Sequence, residues 1–462
     1  MVQVGCRLWN LSIVSVLVLT IYNVLLTVRL MHAPECILPQ VTKSDTYQHT
    51  GVKDAHPPPF HKHPALPNLT LSAGKSVDEQ PFQNLDLRLG RWDARHLIKM
   101  FDFALVGDKF PSLSEKYVVC LATQSSLEKL FSLVQVAHHW SGPISAAVYA
   151  AGDEELNLLM LYIVYLRKCH QAVRDRVSFH FAFPKEKLAR SVRSVDLAEL
   201  AAMNCFKPEA MVQQLLKKRP MSISKWRFKN PYPQNHLRNL ARKNCQSGYV
   251  FLTDVDIIPS MRMCEGLDVF LRHVTCEGRC AYVIPTYELD ERVRFPTNKS
   301  ELVRLANKGL ARPFHHKVFI YNQYATNISR WQSTVTDGPE VHISHRVTNF
   351  EFLYEPFYVA LDTVPPHDER FLGYGFTRNT QVYEMFVADY EFHVLSPAFT
   401  CHWGLQQKRT RPLWRENQNS ANRRHLELFK KEVFARYGKD PLHMVARASK
   451  DANKPKDKQT HS

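Results

Sequence analysis

Apolar segments of strand length alternate with segments of helical periodicity between residues 117 and 254. The strand-like segments are YVVCLAT, ISAAVYA, VSFHFAF and YVFLT, and the helix-like segments are SSLEKLFSLVQVAHHW, DEELNLLMLYIVYLRKC and HLRNLARKNC. Ser125 or Ser126 is predicted to cap the first of these helices. Because strands and helices of this length need crossover connections, the sequence predicts an α/β fold with a mainly parallel sheet. Ligands bind such open sheets at the carboxyl ends of the strands.

Two carboxylates, Asp254 and Asp256, stand at the end of the last strand-like segment, where the ligand is expected. Carboxylates in this arrangement can bind Mg²⁺ or Mn²⁺ while substrate phosphates supply further oxygens. Such a metal neutralises a diphosphate, which makes a nucleoside diphosphate a better leaving group. A chain of this composition contains an Asp-x-Asp by chance about once. A loop turn or a helix-capping pair is therefore the alternative interpretation.

Two further segments contain candidate catalytic or metal-binding side chains. In HDERFLGYGFTRNT, Asp368 or Glu369 could act as the general base that takes a proton from a sugar hydroxyl. The alternative is a capping acid that forms an ion pair with Arg370. In FTCHWG, His402 follows the apolar strand YEFHVL and could complete a metal site with the two aspartates. A lone histidine is more often structural.

An uncharged segment near the N-terminus predicts a membrane anchor. Leu8 to Val28 contains no ionisable side chain, and at about 1.5 Å per residue it spans about 30 Å. It is longer than the apolar part of a cleaved signal peptide and no convincing cleavage site follows, so we expect a signal anchor with a luminal body. The predicted organisation is a cytoplasmic tail (1–7), an anchor (8–28), a luminal stem (29–110), a catalytic domain (111–440) and a disordered basic tail (441–462).

Glycosylation sequons and cysteines are consistent with a luminal body. Asn68, Asn298 and Asn327 each begin an N-glycosylation sequon. Nine of the ten cysteines follow the anchor and could pair in an oxidising compartment, but the sequence leaves their connectivity open. Cys36 stands apart and could link two chains as a homodimer. Cys276 and Cys280 are predicted to form a disulfide or to remain thiols, because no second pair stands at zinc-site spacing.

The formal net charge of +16 limits the partners of such a protein. A luminal domain does not meet nucleic acid, so nucleic-acid binding is excluded under this topology. Acidic glycans or nucleotide phosphates are the expected partners of a basic cleft. The alternative is that much of the charge lies on a solvated surface.

Several ordered blocks resemble glycosyltransferase family 49. They are YPQNHLRNLARKNCQSGYVFLTDVDIIPS, NKSELVRL, ATNISRW, EPFYVALDTVPPHDERFLGYGF and the distal His402, and together they span about Lys116 to Tyr437. The resemblance implies a GT-A type fold, in which a Rossmann-like domain binds a sugar nucleotide through Mn²⁺, with Mg²⁺ as the alternative ion.

The resemblance also implies roles for individual residues. It assigns the metal to Asp254, Asp256 and His402, the donor to Thr123, Gln124, Asn235, Arg238, Asn239 and Asp254, and the base to Asp368 or Glu369. The implied enzyme is a Golgi type II membrane protein that moves glucuronate from UDP-glucuronate to a xylose-terminated glycan on a glycoprotein, with inversion, in the protein O-mannosyl glycan pathway. The alternatives are another UDP-sugar donor, such as UDP-N-acetylglucosamine, and a non-catalytic Golgi protein that binds glycans.

Overall fold

The computed structural model describes residues 80–334, 338, 340–408 and 412–445. The predicted cytoplasmic tail and anchor, Cys36 and Asn68 lie outside these residues, as does most of the predicted basic tail. Among the helices of the described ranges, none has the length and apolar character that crossing a membrane requires.

Strands and helices alternate along the first half of the described chain. The strands are β1 (Arg91–Trp92), β2 (Ile98–Leu105), β3 (Val119–Ser126), β4 (Ile144–Tyr149), β5 (Val177–Pro184), β6 (Tyr249–Leu252), β7 (Ile257–Pro259), β8 (Arg279–Ile284), β9 (Thr286–Leu289), β10 (Ala311–Pro313), β11 (His342–Arg346), β12 (Phe357–Leu361), β13 (Tyr390–Ser396) and β14 (Thr400–Trp403). The α-helices are α1 (Phe110–Lys116), α2 (Leu133–His139), α3 (Gly152–Cys169), α4 (Gln171–Arg176), α5 (Leu197–Ala202), α6 (Pro208–Lys217), α7 (Met221–Lys229), α8 (Gln234–Lys243), α9 (Met263–His273), α10 (Lys299–Asn307), α11 (Ile328–Ser333), α12 (Asn379–Val387) and α13 (Leu413–Tyr437).

Ten strands form one large sheet in the order β1-β2-β5-β4-β3-β6-β12-β8-β13-β11, and β10-β9-β14-β7 form a smaller one. The central strands β5, β4, β3 and β6 are parallel, as predicted from the alternating segments. The antiparallel strand β12 lies between β6 and β8, and β2 adds to β5 in the antiparallel direction. The large sheet is therefore a mixed α/β sheet, as predicted, with a parallel centre that antiparallel strands from outside the alternating segment join on both flanks.

The large sheet begins within the segment predicted as stem. Residues of β2 pair with β5, with Ile98 opposite Pro184 and Phe101 opposite Phe181. Lys99 interrupts the apolar pattern of β2, yet it is buried, and its ammonium group donates hydrogen bonds to the carbonyls of residues 87 and 88. Backbone carbonyls compensate the buried charge of Lys99, but a charged residue interrupts the apolar pattern by which a strand is predicted. The sequence pattern therefore did not indicate this strand.

Helices cover both faces of the central strands. On one face, Leu237 and Leu240 of α8 pack against the small side chains of Cys120, Ala122 and Ala147, which let the helix approach the sheet closely. On the other face, alternate residues of β3 pack with α2 and α3. A disulfide between Cys120 and Cys245 joins β3 to the end of α8. The position of α8 is therefore fixed against the sheet, and α8 carries three of the predicted donor-binding residues.

Two other disulfides form among the described cysteines. Cys169 bonds to Cys205, and Cys276 bonds to Cys280. The prediction that the latter pair is not a metal site is confirmed. Cys264 and Cys401 remain buried thiols, so not all eight candidate cysteines pair.

Candidate active site

Antiparallel pairing of β14 with β7 brings His402 next to Asp256, the second of the two aspartates. Asp254 and Asp256 lie in the turn between β6 and β7, as expected for a site at the carboxyl end of a strand. His402 is opposite Ile257 in the smaller sheet, and its Nε2 is 3.5 Å from Oδ2 of Asp256. The structure thus brings His402 to Asp256, two of the three residues that the sequence suggested as metal ligands.

Two buried arginines surround the Asp254 carboxylate. Its Oδ1 lies 2.9 Å from Nη2 of Arg378 and 3.3 Å from Nη2 of Arg238, and it accepts a 3.4 Å hydrogen bond from Gln124 Nε2. Burial by itself raises the pKa of Asp254, but Arg378 and Arg238 outweigh burial and hold that pKa well below its usual range. Asp254 is therefore ionised at neutral pH. Since these contacts fall on Oδ1, Oδ2 remains the oxygen that can bind a cation.

The chemistry of the aspartate–histidine cluster fits a hard divalent cation. Asp254 and Asp256 offer carboxylate oxygens, and His402 offers an imidazole nitrogen, a set that suits Mn²⁺. Burial raises the pKa of Asp256, but its hydrogen bond to His402 and the His402 charge more than offset this, so the pKa is lowered. Nδ1 of His402 is buried without a hydrogen-bond partner among the described residues. The ammonium of Lys129 also lies 3.5 Å from Asp256 Oδ2.

A second group of possible metal ligands lies elsewhere. One ligand atom from each of Asp93, His236 and Glu369 falls within 4.8 Å of the others. Asp93 Oδ1, however, accepts backbone hydrogen bonds from Leu97 and Ile98 at 2.6 and 2.7 Å, so this carboxylate also closes a turn. The group can hold a metal by its residue types, but none of its three members lines the large cavity described next.

A cavity of about 1550 Å³ borders the aspartate–histidine cluster through His402 and Lys129. It is large enough for a nucleotide sugar and part of an acceptor. Its charged lining residues are the carboxylates Asp290, Glu291 and Glu355 and the cations Lys129, Arg292, Lys408, Arg415 and Arg423. The loop from Tyr374 to Thr377 forms another part of the lining.

The predicted donor-binding residues fall into two groups. Gln124 and Arg238 reach Asp254, as described above. Asn235 and Asn239 instead hold the backbone of the segment that follows β12, because their amide groups donate 2.8 Å hydrogen bonds to the carbonyls of Asp368 and His367. Thr123 is buried within β3, and its hydroxyl lacks a hydrogen-bond partner among the described residues.

The carboxylates of both predicted bases are engaged by side chains outside the large cavity. The Asp368 carboxylate accepts hydrogen bonds from Arg370, which also contacts Glu432 at 2.8 Å, so the ion pair weighed as the alternative does form. Glu369 accepts a 3.0 Å hydrogen bond from Asn239 and lies 3.7 Å from His236 Nε2. Neither carboxylate lines the cavity.

The sequence analysis missed three residues at this site. Arg378 stacks over the Phe357 ring, with its guanidinium carbon 4.3 Å from the ring centroid, and binds Asp254. His315 lines the cavity, and burial is the main cause that lowers its pKa to about 4, so its imidazole is neutral at physiological pH. Burial also shifts the pKa of Glu355, which it raises, although the charges of Arg378 and Arg238 act in the opposite direction. Glu355 and Arg378 lie in sequence blocks that were identified as functional, but nothing in those blocks distinguished these two residues from their neighbours. His315 lies in none of the blocks.

Comparisons with known proteins show the family of this chain. A family model described as a glycosyltransferase for dystroglycan matches residues 118–438. Human beta-1,4-glucuronyltransferase 1 is 33% identical over 326 residues, which cover 70% of this chain and 77% of that protein. Mouse xylosyl- and glucuronyltransferase LARGE2 is 25% identical over 341 residues, which cover 72% of this chain and 41% of LARGE2.

Among solved structures, glucosyl-3-phosphoglycerate synthase from Mycobacterium tuberculosis gives a TM-score of 0.29 at 12% identity, covering 71% of this chain and 84% of that one. That similarity is too weak to carry an argument. The match to the family model, in contrast, extends over the central sheet, α8, the two aspartates and His402. On this ground the chain belongs to glycosyltransferase family 49.

Proposed function

We propose that this chain is a metal-dependent, inverting glucuronyltransferase. It transfers glucuronate from UDP-glucuronate to a xylose-terminated glycan on a glycoprotein, within protein O-mannosyl glycan synthesis. The names of the relatives support the donor, since beta-1,4-glucuronyltransferase 1 and LARGE2 are both glucuronyltransferases by name. The family description, which mentions dystroglycan, supports a glycoprotein acceptor.

The observation that carries the proposal is the grouping of Asp254, Asp256 and His402 beside a cavity of nucleotide-sugar size. A bound Mn²⁺, or Mg²⁺ in its place, would neutralise the donor diphosphate and stabilise the leaving UDP. Arg238 and Arg378 keep Asp254 ionised and oriented, which leaves a ligand oxygen free. Both arginines are buried, so their geometry is set before the donor arrives.

Glu355 is the carboxylate we assign as general base, in place of Asp368 or Glu369. It lines the cavity, is half-buried, and has its pKa raised mainly by burial, which suits a group that must accept a proton near neutral pH. Of the other two lining carboxylates, Asp290 has its pKa lowered to about 2 by its hydrogen bonds to Arg292. Glu291 lies exposed at the cavity edge. Glu355 would take the acceptor hydroxyl proton as that oxygen attacks the sugar.

The proposal includes the GT-A type fold and a Golgi type II topology. Parallel central strands covered by helices on both faces are compatible with a nucleotide-binding domain of that type. The disulfides and the exposed positions of Asn298 and Asn327 suit the Golgi lumen and N-glycosylation. Each of these asparagines caps a helix through its side-chain oxygen, so the amide nitrogen remains for a glycan.

The donor is tested by measuring UDP release from a panel of UDP-sugars. The secreted fragment 80–462 is incubated with a β-xyloside acceptor, with Mn²⁺ or with chelator. We expect acceptor-dependent release from UDP-glucuronate that the chelator abolishes. Turnover of UDP-N-acetylglucosamine instead would keep the transferase and discard the glucuronyl assignment. A folded fragment that binds UDP but turns over none of the donors would favour a non-catalytic glycan-binding protein.

A further inference from the structure

The cavity contains several cations, and one of them is held rigidly without a carboxylate partner. Arg292 forms an ion pair with Asp290, and Lys129 forms one with Asp256. Arg423 is exposed. Arg415, in the first turn of α13, is half-buried and lines the cavity, and within the described ranges it has no ion-pair partner.

Stacking fixes the position of the Arg415 guanidinium. Its central carbon lies 3.7 Å from the centroid of the Tyr374 ring, which is close enough for a cation–π contact. The stack leaves the edge of the guanidinium, with its fork of N–H donors, available to a ligand in the cavity. A planar fork of this kind matches a carboxylate better than it matches a hydroxyl group.

One face of α13 holds the loop that carries Tyr374. The Oε1 atom of Gln418 accepts the Tyr374 backbone N–H at 2.9 Å. Nδ2 of Asn422 lies 2.9, 3.1 and 2.8 Å from the carbonyls of Leu372, Tyr374 and Gly375. Because residues 415, 418, 419 and 422 are spaced at three and four along the helix, they share this face.

The loop can come this close only because it contains Gly375. Its φ is +97°, and a Cβ atom there would lie 2.4 Å from Oδ1 of Asn419. The backbone of Tyr374 is thus held against α13 by Gln418 and Asn422, and Arg415 stacks on the Tyr374 ring. The arginine is preorganised before any ligand binds.

Arg415 lines the same cavity as His402, the histidine of the candidate metal site. His402, His315 and Arg415 all line the cavity. A sugar whose diphosphate binds beside Asp254 and His402 would therefore lie in the cavity that Arg415 lines.

We infer that Arg415, stacked on Tyr374, binds the C6 carboxylate of the donor sugar and so makes the site selective for a uronic acid. This inference rests on the proposed function. It names a residue that sets donor specificity, and it predicts that the loop–helix contacts at Gln418 and Asn422 position that residue. UDP-glucose is the informative competitor, because it differs from UDP-glucuronate only in having a hydroxymethyl group in place of the carboxylate.

The test compares kcat/KM for UDP-glucuronate and for UDP-glucose in wild type, Arg415→Gln and Arg415→Lys. We expect Arg415→Gln to reduce the ratio of the two values by roughly 10- to 100-fold, as a lost charge-assisted hydrogen bond would. The loss should fall on UDP-glucuronate, and Arg415→Lys should restore part of it. Arg424→Gln, which removes an exposed arginine from the same helix, should leave the ratio unchanged.

Binding of UDP alone distinguishes contact of Arg415 with the sugar carboxylate from contact with the diphosphate. Because UDP has no sugar carboxylate, its affinity in the presence of Mn²⁺ should be the same in wild type and Arg415→Gln. An equal loss for both donors together with weaker UDP binding would place Arg415 on the diphosphate and overturn the inference. An unchanged ratio would also overturn it. A wild-type protein that does not use UDP-glucuronate would instead refute the proposed function, and the inference with it.

Discussion

Replacing Glu355 with Gln is expected to lower kcat by about 10²- to 10⁴-fold, the usual contribution of a general base. The substitution keeps the size and much of the polarity of the side chain but removes its ability to accept a proton. Because burial raises the pKa of Glu355, the carboxylate is a better proton acceptor than an exposed glutamate would be. The measurement is kcat with UDP-glucuronate and a β-xyloside at saturating Mn²⁺.

Glu369→Gln serves as the matched control for this variant. Glu369 lies outside the cavity lining, and its Oε1 accepts a hydrogen bond from Asn239 that a glutamine oxygen can also accept. We expect kcat of Glu369→Gln to stay close to wild type. Affinity for UDP should be retained in both variants, since neither change touches the aspartate–histidine cluster. If Glu369→Gln lost activity while Glu355→Gln kept it, the base would be the one predicted from the sequence block.

Asp256→Asn is expected to produce a loss of kcat/KM of at least about 100-fold. Asp256 contributes one of two carboxylates to the proposed metal site, and a bound metal supplies several kcal/mol of charge stabilisation in such reactions. At about 1.4 kcal/mol per factor of ten, the loss of most of that stabilisation gives an effect of this size. The measurement combines initial rates with a Mn²⁺ titration in the presence of UDP, and a melting curve checks that the variant is folded.

The same titration distinguishes the two groups of possible metal ligands. We expect Asp256→Asn to weaken Mn²⁺ binding and Glu369→Gln to leave it unchanged. The opposite result would move the ion to the group formed by Asp93, His236 and Glu369. A shared loss in both variants with normal melting curves would indicate two ions.

The central part of the fold followed from local sequence patterns. The period of the apolar residues is a local property, so it indicated β3, β4, β5 and β6 and the helices between them. It also placed Asp254 and Asp256 at a strand end. It could not indicate that β12 inserts in the antiparallel direction between β6 and β8, because that pairing joins segments more than 70 residues apart in the chain. The first predicted helix begins instead as a 3₁₀ turn at Leu127.

Only part of the candidate site could be predicted from the sequence, because the contacts of a side chain depend on the tertiary fold. His402 was suggested as a ligand, although only the pairing of β14 with β7 explains why it meets Asp256. Asp368 belongs to the expected block, but its carboxylate accepts hydrogen bonds from Arg370 and does not line the cavity. Arg378 and Glu355 have no spacing signature, since their roles depend on burial beside Asp254. Burial of this kind is created by the tertiary fold.

The central claim is inverting transfer of glucuronate, and the structure of the product tests it most directly. The purified fragment is supplied with UDP-glucuronate, Mn²⁺ and a β-xyloside, and the product is analysed by mass spectrometry and by the anomeric coupling in its proton NMR spectrum. UDP-glucuronate carries an α-linked sugar, so inversion predicts a single β-linked glucuronyl residue on the xylose, removable by β-glucuronidase. An α-linked product would contradict the mechanism with a general base, and a product carrying any other sugar would contradict the assigned donor.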